Sequence, residues 1–214
     1  MQRKASYLVL SFLLLLLLLL VLFPLSAYAQ DGKLGLRLWG EASPFISGGA
    51  GSGSGAPGYD DAFHAGLGIG AEVSWRFTPR LSLLTGIGYE NHSGDSHQGI
   101  SFDNLKIVPV YLGGKFHITP DAHRWDPYLR MDMGAAHLSS VGVSYQRLKG
   151  KYWDSSWVFL FDAGAGIEYR WKDWGASLEI KLRYMGKPAS AMGSPSNADP
   201  SWTVPVVLGI NYYF

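Results

Sequence analysis

The residues best placed to do chemistry are charges that recur at every second position. Arg37, Arg76, Lys115, Arg130, Arg170, Lys181 and Arg183 are matched by Glu41, Glu72, Glu90, Asp132, Asp162, Glu168 and Glu179. A period of two places each set on one face of an extended strand. Opposite charges gathered on one face either bond to one another as a filled network or line a narrow ion-selective pore. If the strands close into a ring of eight, the interior is about wide enough for side chains alone, which favours the filled network.

Two smaller constellations compete for a chemical role. His137-Leu138-Ser139 sets an imidazole and a hydroxyl two residues apart, the minimum for an activated nucleophile. No carboxylate is placed by sequence to orient His137, so a strand-end histidine is the expectation. Glu90, His92, Asp95 and His97 bring carboxylates and imidazoles together, which could suit a divalent cation. Their spacing matches no defined metal motif, and a solvated loop is the expectation. The glycines of Ser47–Gly58 lack the Gly-Lys-Ser/Thr of a phosphate loop. The chain has no cysteine, which excludes a disulfide scaffold, cysteine-ligated zinc, a thiol nucleophile and a lipoprotein anchor. A net charge of +1 gives no electrostatic case for nucleic acid. No catalytic, cofactor-binding or metal residues are expected.

The elements that must position these residues start after residue 29. Arg3 and Lys4 precede an apolar run that holds eight consecutive leucines, Leu13 to Leu20, and ends in Ala27-Tyr28-Ala29. This is the pattern of a cleaved export signal. Residues 1–29 are read as signal peptide and 30–214 as one domain.

From Leu34 the chain reads as eight strands: Leu34–Ala42, Phe63–Phe77, Leu81–Asn91, Leu105–Ile118, Tyr128–Leu138, Trp157–Arg170, Trp174–Tyr184 and Trp202–Phe214. Alternation is clearest in the second, where Leu67, Ile69, Ala71, Val73 and Trp75 oppose Gly66, Gly68, Gly70, Glu72 and Ser74. The fourth is irregular, because Leu105 and Ile107 have the opposite parity to Val108, Val110 and Leu112; a bulge at Pro109 would reconcile them. Connections alternate between long and short. The segment Ser47–Gly58 is expected to be flexible and to contribute nothing to a core; His92–Asp103 and Ser139–Ser155 read as polar loops.

The charges also decide which medium lies outside. In strands two, three, six, seven and eight the apolar face carries no Asp, Glu, Lys or Arg. A soluble surface has no reason to avoid charge so completely, whereas an Arg or Lys on a lipid face costs about 2–4 kcal/mol near the midplane. Aromatics gather at the strand ends: Trp75, Phe77, Tyr169, Trp174, Tyr212 and Phe214 toward the short turns, and Phe63, Tyr89, Trp157, Tyr184 and Trp202 toward the long loops. Two girdles flanking an aliphatic belt fit two membrane–water interfaces. The fold expected is therefore all-β, an eight-stranded antiparallel up-and-down transmembrane β-barrel.

Leu105-Lys106-Ile107-Val108-Pro109-Val110, Pro127-Tyr128-Leu129 and the repeated Gly-x-Gly strand centres Gly66/Gly68/Gly70, Gly86/Gly88 and Gly164/Gly166 resemble the PorT-like "outer membrane protein beta-barrel domain" group of Gram-negative envelopes. The chain is also similar to the transmembrane barrel of outer-membrane protein A. This resemblance covers about Leu34–Phe214 and implies an outer-membrane location, with lipid and lipopolysaccharide as surroundings. The terminal Gly209–Phe214 stretch resembles the signal read by the barrel-assembly machinery, which implies Tyr212 and Phe214 as assembly residues. His137 and Ser139 resemble the His and Ser of outer-membrane lipid A deacylases, but Ser140 stands where those enzymes have Asn. The expected role is non-enzymatic, structural or loop-presenting; a small pore or transport component is the alternative, and a lipid A hydrolase a more distant one.

Overall fold

The computed structural model describes residues 34–51, 56–119, 124–146, 148–190 and 198–214. The signal peptide read at 1–29 lies outside these residues. In chain order the strands begin with β1 (Leu34–Ser43), β2 (Phe45–Ser47), β3 (Gly66–Arg76) and β4 (Leu81–His92), with a short helix α1 (Tyr59–Ala62) before β3. There follow β5 (Ser96–His97), β6 (Ile100–Phe102), β7 (Leu105–His117) and β8 (Trp125–Leu138). Next come β9 (Val141–Tyr145), β10 (Leu148–Asp154), β11 (Ser156–Trp171) and β12 (Trp174–Met185). The chain ends with β13 (Ala189–Ser190), β14 (Ser201–Thr203) and β15 (Val206–Tyr213).

Eight long strands form a closed ring. The order is β11-β8-β7-β4-β3-β1-β15-β12, and β12 pairs back onto β11. The ring closes where the last strand meets the first, from Gly35↔Tyr213 to Ala42↔Val206. Every pairing between neighbours is antiparallel. Closure removes the free edge that an apolar terminal strand would otherwise expose.

The walls follow the period of two. Leu38, Ile69, Ile87, Leu112, Met131, Phe159, Ile180 and Leu208 are exposed on the outside. Ring pairs at the turn end are in contact, among them Trp125–Tyr169 at 4.8 Å and Trp174–Tyr212 at 5.0 Å. At the opposite end Tyr184 meets Trp202 at 5.1 Å.

Four local expectations are corrected. The β7 register with β8 runs unbroken through Pro109, and the register with β4 is the same on either side of it, so there is no bulge. Leu105 and Ile107 instead face inward and are fully buried. The final strand is interrupted at Val204-Pro205, although β14 and β15 keep one register against β12. Phe63 precedes its barrel strand and is buried at 2% exposure rather than sitting in the outer girdle.

The fourth correction concerns the long connections, which build a cap. Strands β13-β10-β9-β6-β5 form a second sheet. Phe45, Tyr59, Phe63, Phe102 and Trp153 pack together there, with Phe45–Tyr59 at 5.0 Å and Phe63–Trp153 at 5.7 Å. Even the Gly/Ser-rich stretch contributes, since Ala50 is fully buried and its N–H donates to Pro57 O at 2.9 Å. The Tyr59 hydroxyl donates to the carbonyl of Asp199 at 3.1 Å. Burial, then the Asp199 charge, holds the Tyr59 phenol above its ordinary value. The apolar core of the molecule runs from this cap down to Leu138, Leu160 and Met185 at the top of the barrel.

Candidate functional site: the charged lumen

Inward side chains are held by the strand period, and glycines make the room. Trp39 lies across Gly88, where an added Cβ would come within 2.6 Å of the indole. Tyr111 and Tyr128 stand in the same way over Gly86 and Gly166, at 2.5 Å each. The Gly-x-Gly strand centres thus have a packing cause: a large lumen residue on one strand needs a bare backbone on its neighbour.

The structure places Arg37, Glu72, Glu90, Lys115, Arg130, Asp132, Asp162, Glu168, Glu179, Lys181 and Arg183 inside the ring, buried. Arg76 and Arg170 are partly exposed at its turn end. Three layers can be distinguished. In the middle layer Glu179 takes Arg37 at 2.7 Å and Arg130 at 3.2 Å, and Tyr128 donates to it at 2.9 Å. Glu72 takes Arg130 at 2.7 Å and Lys115 at 3.1 Å, while Arg130 also reaches Asp132 at 2.6 Å. In the layer nearest the cap Arg183 bonds to Asp162 and Glu41, both at 3.0 Å, and to Glu90. Lys181 lies 3.6 Å from Asp162.

The turn-end layer contains groups the sequence reading did not single out. His117 lies 2.8 Å from Asp126 through Nδ1 and 2.9 Å from Ser82 Oγ through Nε2. A carboxylate can only accept, so Nδ1–H donates to Asp126 and Nε2 accepts from the Ser82 hydroxyl. The order Ser–His–Asp is that of a hydrolytic triad by distance. Its electrostatics differ. Asp126 already bonds to Arg76 at 2.8 Å and Arg170 at 3.2 Å. Arg76 also lies 2.7 Å and 3.1 Å from the two ring nitrogens of His117. A guanidinium against the ring opposes the imidazolium that a general base must become. Glu168 completes the layer, accepting from Arg170 at 2.7 Å and from the Tyr213 hydroxyl at 2.5 Å. The signal in the sequence was parity: Ser82, His117 and Asp126 each share the inward phase of their strands.

The other candidates separate. His137 points outward and packs on Trp157 at 5.2 Å, while Ser139 Oγ accepts the Lys106 N–H at 3.0 Å. Asp95 pairs with His64 at 3.4 Å on the surface. Glu90 and His92 belong to β4 rather than to a loop, and both are fully buried in the lumen. Among the described residues no three His, Asp or Glu converge as a metal set.

A closed eight-stranded ring, apolar outside and charged within, is the arrangement of an outer-membrane barrel. The family described as "Outer membrane protein beta-barrel domain" matches residues 15–214. The chain belongs to that family. Solved barrels share its fold at low identity. Neisserial surface protein A matches with a TM-score of 0.56 at 10% identity, covering 85% of this chain and 97% of that one. OprG from Pseudomonas aeruginosa gives 0.56 at 14%, covering 85% and 96%. Ail, the attachment invasion locus protein of Yersinia pestis, gives 0.52 at 14%, covering 85% and 97%. No curated protein matches the chain. Membership of the barrel family gives the location, the outer membrane.

Proposed function

We propose that this barrel is a non-enzymatic outer-membrane protein that does not conduct, and that it stabilises the envelope or presents its cap to partners outside the cell. The observation that carries this reading is occlusion. The lumen is filled by three bonded layers of side chains, and the aromatic core of the cap sits over its far end. With an even strand number both ends of the barrel domain lie on one side, where Phe214 N–H donates to Leu34 O at 2.9 Å. That side is the periplasm in this reading, and the cap faces outward. Of the neighbours, Ail carries attachment in its name, a role compatible with a cap built as a rigid surface. Outer-membrane lipid and lipopolysaccharide surround the belt, and Tyr212 and Phe214 address the chain to the barrel-assembly machinery. The refolded chain in planar bilayers is expected to show no steady conductance; a stable unitary conductance that shifts ion selectivity in Glu179→Gln would establish the pore reading instead. Ser82 is expected to resist fluorophosphonate labelling, and labelling lost in His117→Ala would establish a hydrolase.

A further inference from the structure

The outer wall of the barrel is not evenly covered by bulky side chains. Ala163 and Ala165 interrupt the row of large outward residues on β11, with Phe161 on one side and Ile167, Tyr169 and Trp171 on the other. Ala165 pairs with Ile180, which pairs in turn with Val206. The missing bulk leaves an open groove of about 380 Å³ in the lipid belt, walled by Ala165, Ile167, Leu178, Ile180 and Val206. Its floor is the wall at Gly166 and Glu179, and the Glu179 side chain is buried in the lumen. Ligand pockets span about 300–1,000 Å³, so the groove is large enough to hold part of a ligand.

Followed toward the turn end, the groove meets aromatic and then cationic side chains. Tyr169 is the next outward residue after Ile167, about 7 Å further along β11. Its ring lies 4.8 Å from that of Trp125 and 6.0 Å from that of Trp171. The Tyr169 hydroxyl accepts from the exposed guanidinium of Arg124 at 3.2 Å. The Arg124 carbonyl accepts the Arg170 N–H at 2.8 Å, so this arginine is tied to the wall through both main chain and side chain. Lys172 is exposed in the turn that follows Trp171, at a φ of 56°. Asp173 comes next in that turn, so cations are in excess among the described residues here.

An apolar groove that ends at oriented cations, at the level of an interfacial aromatic cluster, has the chemistry of a lipid turned on its side: tail, ester region, phosphate. We propose that this face of β11 and β12 holds one anionic glycerophospholipid of the periplasm-facing leaflet. An acyl chain lies in the groove over Ala165. The phosphate sits on Arg124, whose fork of donors suits it, with Lys172 beside it and Trp125 and Trp171 at the level of the esters. Bulk lipid touches the whole belt, but only where shape and charge coincide is one lipid held in preference. A second copy of the chain fits less well, since a two-fold axis along the membrane normal would set Arg124 and Lys172 against their own equivalents. The choice of leaflet rests on the topology proposed above, with the short turns in the periplasm.

Native mass spectrometry of the refolded, heat-modifiable barrel counts bound lipid directly. With dimyristoyl phosphatidylglycerol and phosphatidylcholine at equal concentration in the detergent, about one phosphatidylglycerol per barrel is expected, retained about fivefold over phosphatidylcholine. Arg124→Gln combined with Lys172→Gln should abolish the preference. Ala165→Phe, which fills the groove, should cut retention of both lipids several-fold and leave the preference in place. Arg80→Gln, which removes an exposed cation of a different turn, should change neither. Equal retention of the two lipids by the wild type overturns the proposal, and that comparison needs no variant to fold. So does an Arg80→Gln loss as large as that of the Arg124 and Lys172 pair, or full retention in Ala165→Phe. Lipid A retained in preference to phosphatidylglycerol overturns the choice of lipid. The topology is read separately, because the chain has no cysteine. Lys172→Cys labelled on intact cells by an impermeant maleimide would overturn the periplasmic placement of the turns, and with it the leaflet, whatever the lipid count.

Discussion

Arg183 shows what a single residue does in this barrel. Its guanidinium is 1% exposed and bonds to carboxylates from three other strands, Glu41, Glu90 and Asp162. The net worth of such a buried set is small, because desolvation offsets attraction. Removing one partner is different, since it strands the others. Arg183→Ala should destabilise the barrel by about 3–5 kcal/mol, read as a lower urea midpoint for the heat-modifiable band. Arg183→Ala combined with Glu41→Gln and Glu90→Gln should recover much of that loss; a triple variant no more stable than the single one would show that packing, not charge, is what Arg183 supplies. The sequence marked Arg183 by phase alone. Ser82, His117 and Asp126 share that inward phase, but phase does not show that they meet, which depends on strands that only the ring brings together.

At the scale of elements, the cap is the part that was least legible. Its sheet is made of short pieces, β5 and β13 having two residues each, and two residues carry no period to read. Its core uses aromatics spaced far apart in the chain, so no local window shows an apolar face. Trp153 is fully buried among Tyr59 and Phe63. Trp153→Ala should cost about 3–5 kcal/mol, confined to the cap. Limited proteolysis should then cut the cap segments while the barrel remains heat-modifiable; loss of the whole fold would mean that cap and barrel are one cooperative unit. Tyr59 adds a pH dependence. Its raised value means that the contribution is whole below the unfolded phenol value of about 10 and is lost as pH rises beyond it. Cap proteolysis should accelerate above about pH 10 in the wild type, and less steeply in Tyr59→Phe, where the phenol is absent.

At the scale of the whole molecule, closure and assembly depend on the last strand. Deleting Phe214 removes an exposed aromatic that packs on Tyr212 at 4.9 Å, outside the lumen. It should leave the stability of the refolded barrel nearly unchanged, while slowing its appearance in the outer membrane of cells several-fold; unchanged assembly kinetics would remove the address reading of the terminus. Eight strands were countable because lipid imposes one strict rule on the outer face, which every barrel strand obeys over many residues. The sequence by itself determined the alternation, the strand number, the girdles and the sign of the medium outside, because each is a local pattern enforced by the pleat. Only the tertiary structure decided which charges meet, that Leu105 and Ile107 turn inward without a bulge, that separate loops share an aromatic core, and that Glu90 is buried between Arg183 and His92. Those are contacts between residues far apart in the chain, fixed by register and closure, and no period along a single strand encodes them.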